Sequence, residues 1–186
     1  SGSWETNIKA IGDGAVELYY DNSLKIQTKS YGVNMPDNSQ LYFGNGDDFV
    51  IKHDGTDTYL KSATGNTLIQ GSNGNAVYIQ AKADEGSIVC AADGAVSLYY
   101  DGVKTFETND NGATVYGGEG QHSSLYLYAD EGDDNADKLR LQQSSTGDFW
   151  IENYASGSWE AHLKASNNGA VELYYDNSKK FETNSS

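Results

Sequence analysis

The sequence predicts an all-β, elongated and repetitive fibre segment, best arranged as a homotrimeric intertwined β-helix or β-prism shaft. Three observations carry this prediction. A module of about thirty residues occurs three times, apolar and polar residues alternate with period two, and Gly, Asn and Asp clusters interrupt that alternation about every 8 to 12 residues.

The repeat comes first because a missed repeat misassigns a whole fold. The string GAV(E/S)LYYD begins at Gly14, Gly94 and Gly169, and the SGSWE at Ser1 returns at Ser156. Modules therefore span 1–33, 85–115 and 156–186, with unlike spacers at 34–84 and 116–155. Residues 1–186 read as a single repetitive β shaft. Because the chain opens without Met and inside a repeat, it is expected to be a segment of a longer protein.

Alternation within the repeat separates two faces. Val16, Leu18 and Tyr20 are expected inside, with Glu17 and Tyr19 outside; Ser97 in place of Glu17 fits a tolerant outer position. The corresponding inward residues are Val96, Leu98 and Tyr100, then Val171, Leu173 and Tyr175. Ile8, Ile88 and Leu163 form a further inward set, as do Ile26, Phe106 and Phe181, whereas Lys9, Val89 and Lys164 point outward. Cys90 stands where the other copies carry Ala10 and Ala165, so it reads as a small residue in a tight inward site.

The spacers contribute further strands at QLYFG, DFVIKHDG, TYLKSA, NTLIQG, AVYIQAK, SLYLYAD, KLRLQQ and DFWIENY. No stretch keeps helical apolar spacing over three turns, so almost no helix is expected. Short strands of this kind suit a sandwich, a single-chain solenoid or several chains wound together. Unequal spacers argue against a sandwich. Threefold winding also removes the open edges of a thin single-chain sheet, and it places the inward residues of three chains on one axis.

Composition restricts the partners. The net charge of -15 would repel a phosphate backbone or an anionic bilayer, so neither nucleic acid nor membrane is an expected partner. Apolar residues make up 37%, which supports a thin repetitive core better than a thick one. A single cysteine allows no intrachain disulfide, and no apolar run is long enough to span a bilayer as a helix.

Three strings resemble the repetitive tail-fibre and tail-appendage proteins of marine tailed bacteriophages, including those of cyanobacteria. They are ASGSWE followed by LKASNNGAVELYYDNSKKFET between Ala155 and Thr183, LYADEGDDNADKLRL ending at Leu141, and IKHDGTDTYL from Ile51 to Leu60. The resemblance implies a β-rich, trimeric structural protein of the virion. Its expected partners are its own copies, other virion proteins and a host-surface glycan, in an extracellular setting. The second module lacks SGSWE, and Leu24, Ile26 and Gln27 depart from the later KKFE tail, so the copies are not fully equivalent.

Candidate chemistry is sparse. Asp130, Glu131, Asp133, Asp134 and Asp137 form the densest acidic cluster, but their order fits neither an EF-hand loop nor a calcium-binding β-roll, so no metal is expected. Adjacent acids such as Asp133 and Asp134 offer no groove for a polysaccharide depolymerase. His53, His122 and His162 lack the short spacing of a zinc site. No catalytic residue and no cofactor is expected. Tyr19, Tyr99 and Tyr174, read as the outward members of the YY pairs, are the candidate glycan-binding row. Trp4 and Trp159 are expected to anchor turns against the shaft, with Phe149 and Trp150 on opposite faces.

Overall fold

Turn chemistry and alternation produce an all-β chain. The computed structural model describes residues 4–72 and 74–184, so the first three residues of the opening SGSWE copy lie outside the described residues. Helical structure among the described residues is confined to two 3-10 turns, Asp130–Gly132 and Asn135–Asp137.

The chain divides into two compact units, Ser1–Ile69 and Gln70–Ser186. In the first, β1 (Ile8–Ala10), β2 (Val16–Tyr20), β3 (Ser23–Lys29) and β4 (Gly32–Asn34) form a four-stranded sheet. A three-stranded sheet follows, made of β5 (Gln40–Phe43), β6 (Phe49–His53) and β7 (Thr58–Ser62). In the second unit, β8 (Val77–Ile79), β9 (Ile88–Cys90), β10 (Val96–Tyr100), β11 (Val103–Asn109) and β12 (Gly112–Val115) form a five-stranded sheet. The last sheet has six strands: β13 (Ser123–Tyr128), β14 (Lys138–Gln143), β15 (Phe149–Asn153), β16 (Glu160–Ala165), β17 (Val171–Tyr175) and β18 (Ser178–Glu182). Every sheet is an antiparallel meander in chain order. The NTLIQG segment is the exception to the expected strands. Residues 66–71 pair with nothing, and Leu68 and Ile69 lie exposed.

The three modules share one backbone design. Ile8 pairs with Leu18, Ile88 with Leu98, and Leu163 with Leu173. On the other side, Leu18 faces Ile26, Leu98 faces Phe106, and Leu173 faces Phe181, each followed by the same one-residue irregularity. Asp21 and Asn22, Asp101 and Gly102, and Asp176 and Asn177 all carry positive φ, as a two-residue type I′ hairpin turn requires. A threonine hydroxyl then accepts from the N–H that opens the YY strand in each copy: Val16 to Thr28 at 2.9 Å, Val96 to Thr108 at 2.9 Å, and Val171 to Thr183 at 3.0 Å. Gly14, Gly94 and Gly169 close the preceding turn, where a Cβ would press within 2.9 Å of Ile11, 3.2 Å of Ala91 and 2.9 Å of Ser166.

The alternation puts the expected residues on opposite faces, but the apolar face is not enclosed by its own chain. Val16, Leu18 and Tyr20 are exposed, as are Val96, Leu98 and Tyr100, and Val171, Leu173 and Tyr175. Ile8 and Phe181 are exposed as well, while Ile26, Ile88, Phe106 and Leu163 are half-buried. Glu17 is half-buried, the reverse of the expected ranking. The physical reason is that each sheet is one layer thick: within each unit no described residue buries the aliphatic face, whereas long polar side chains on the other face cover one another. Among the described residues no large side chain is fully buried, and Ala161 is the sole buried apolar residue.

Candidate functional site: the uncovered aliphatic faces

Antiparallel register lines up the apolar residues into rows that cross whole sheets. In the six-stranded sheet the row is Leu125, Leu141, Ile151, Leu163, Leu173 and Phe181, one residue from each strand. The five-stranded sheet carries Ile79, Ile88, Leu98, Phe106 and Val115, with Val77, Cys90 and Val96 as a second row beside it. Ile8, Leu18 and Ile26 repeat the pattern in the four-stranded sheet, and Leu41, Ile51 and Leu60 do so in the three-stranded one. Equivalent leucines remain 39% exposed at Leu18, 38% at Leu98 and 43% at Leu173. Contiguous exposed apolar surface of this kind is uncommon on a solvent-facing sheet.

The opposite face is held by charge and hydrogen bonds. Tyr19 donates its hydroxyl to Glu17 at 2.7 Å, and Tyr174 donates to Glu172 at 2.5 Å. Those hydroxyls, followed by Lys9 beside Glu17 and Lys179 beside Glu172, hold both carboxyls below the usual range. In the second module Ser97 replaces the acid and donates to Glu107, which also accepts from Lys104 and Tyr116. Tyr19, Tyr99 and Tyr174 are therefore the half-buried members of their YY pairs. The expected outward row keeps the face opposite the leucines but is the less exposed of the two in the single chain: Tyr20, Tyr100 and Tyr175, on the aliphatic face, are the exposed rings.

Cys90 is a half-buried free thiol in the Val77–Val96 row, consistent with a small apolar position. Asp133, Asp134 and Asp137 do converge, with carboxylate oxygens within 4.8 Å of one another. Their arrangement has a structural cause. The Asp134 N–H donates to Asp133 at 3.1 Å and to Asp137 at 3.3 Å, and Asp134 and Asp137 form a reciprocal capping box on the second 3-10 turn.

The histidines stay apart in local bonds. His53 meets Thr58, His122 accepts from the Ser145 N–H, and His162 meets Asn153. Trp159 is anchored as expected, packing on Tyr126 and Tyr154 and beneath Arg140. Trp4 is not: it is fully exposed, and among the described residues β1 pairs with β2 alone. Phe149 and Trp150 take opposite faces and are both half-buried.

No protein-family model, curated protein or solved structure matched the chain. No helix among the described residues is long and apolar enough to cross a membrane.

Proposed function

We propose that this chain is a structural protein of a virion, the shaft segment of a phage tail fibre or appendage that supports host attachment. In this reading three copies associate, and the aliphatic row of each sheet is covered by the corresponding rows of the other two. The single observation that carries it is the uncovered row, repeated with the same register in every module. Burial of apolar surface is the main favourable term in association, and a sheet one layer thick has no other way to obtain it. The resemblance of three sequence strings to phage fibres supplies the virion and extracellular setting. Its other partners are then further virion proteins.

A structural role rather than catalysis suits the carboxylates. Glu17, Glu107 and Glu172 are tied to tyrosine, serine and lysine on one face, and the Asp133–Asp137 group caps a turn.

The test is a pair of charge substitutions on opposite faces. Leu98→Asp places a carboxylate in the aliphatic row, where association would desolvate it, and should convert the assembly to single chains while leaving the far-ultraviolet β signal intact. Lys61→Asp, whose side chain alternates away from Leu60, should leave the assembly unchanged. Equal behaviour of the two variants would overturn the reading.

A further inference from the structure

We propose that the polar face of the six-stranded sheet carries a binding site for a neutral glycan, built by Tyr126, Tyr128 and Trp159. The inference rests on the reading above in one respect: with the aliphatic face covered by other copies, this face is the one left to solvent.

Tyr126 and Tyr128 stand two residues apart on the edge strand β13, on the face opposite Leu125 and Leu127. They are 49% and 53% exposed. Their ring centroids are 5.9 Å apart, Trp159 continues the series at 5.8 Å from Tyr126, and Tyr154 ends it at 5.1 Å from Trp159. Successive rings are tilted by 52° to 68°, so they form a stepped surface rather than a flat one. Such steps fit a twisted oligosaccharide, with the exposed Tyr126 and Tyr128 rings meeting the C–H faces of successive sugars and Trp159 flanking them.

The rings are held in place. The Arg140 guanidinium lies 4.4 Å from the Trp159 ring centre, and its Nε donates to Glu152 at 2.5 Å across the β14–β15 pair. Preorganised aromatics bind with little loss of side-chain freedom. Lys138 is likewise turned toward Tyr154, 6.0 Å from its ring centre.

Charge selects the ligand class. Arg140 is paired to Glu152, so Lys138, directly across the ladder from Tyr128, is the cation left beside the rings. The Asp133, Asp134 and Asp137 carboxylates, in the turn that joins β13 to β14, outnumber it. Carboxylates accept hydrogen bonds from sugar hydroxyls and repel sulfate, phosphate and uronate, and the net charge of -15 adds to that repulsion. The site needs the spacer strands as well as the repeat, since Trp4, the first-module counterpart of Trp159, is fully exposed. Three copies would present three sites and multiply a weak affinity.

The test uses the full chain carrying Trp4→Phe and Trp150→Phe, which leaves Trp159 as the reporting indole. Maltohexaose, mannohexaose and chitohexaose serve as neutral probes, and a heparin hexasaccharide serves as the anionic comparison. At least one neutral probe should change Trp159 fluorescence saturably below about 10 mM, and heparin should not. Tyr126→Ala with Tyr128→Ala should weaken that response by about tenfold or more, while Tyr126→Phe with Tyr128→Phe should keep it within about threefold. The site is overturned by silence from every neutral probe, by equal binding of heparin, or by a response unchanged in the alanine variant. Mass measured on the same samples separates the two proposals: single chains that still bind sugar through Tyr126 and Tyr128 would sink the trimer and leave the site standing.

Discussion

At the residue scale, single side chains fix the turns and strand starts. Asn177 adopts φ of 51° in a tight turn and its side chain accepts from the Ala161 N–H at 3.2 Å, as Asn22 does from Thr6 at 3.0 Å. Asn177→Val forces a β-branched residue into left-handed backbone and removes that bond, so denaturant unfolding should show a loss of about 1 to 3 kcal/mol. The Thr183 hydroxyl has one visible task, accepting from Val171, and Thr183→Val should cost about 1 kcal/mol in the same measurement. Asp54 accepts from the N–H groups of Asp57 at 2.9 Å and Thr56 at 3.0 Å, which together with Tyr59 bring its carboxyl down to about 2 from the ordinary 3.8. A carboxyl whose pKa falls on folding stabilises the fold above its unfolded value and ceases to do so as pH falls through its folded one. The Asp54 carbon resonance should therefore titrate near pH 2, and Asp54→Asn should flatten the stability loss between about pH 4 and pH 2. The turn asparagines and glycines were legible from sequence because few other residues accept their backbone. Asp54 was not, since a surface aspartate shows its bonding only once the turn is built.

At the element scale, the alternation predicted which residues share a face but not which face is covered. Val16, Leu18 and Tyr20 do lie together, yet a period of two carries no information about the layer count. Glu17 and Tyr19 become half-buried because they bond to each other on the polar face. That contact between positions two apart on one strand is invisible to a pattern that assigns acids to water. The NTLIQG segment shows the opposite failure: its composition suits a strand, but no ladder partner exists for it. Trp159 was identified as an anchor, whereas its partners Tyr126, Tyr154 and Arg140 come from spacer strands that only register brings together. Cys90 offers an element-level check. It sits in the aliphatic row of the five-stranded sheet, so copies meeting through that row bring their thiols close. A short bis-maleimide should trap a covalent dimer at low protein concentration, and Cys90→Ser should abolish it.

At the scale of the whole molecule, four single-layer sheets with uncovered apolar rows describe a chain that has hidden very little of its surface on its own. In the proposed reading, copies of the same chain cover these rows, and the central claim is threefold self-association. Sedimentation equilibrium tests it most directly. The account predicts one species of about 60 kDa, three times the 20.1 kDa chain, across the accessible concentration range. A well-folded species at 20.1 kDa throughout would contradict it.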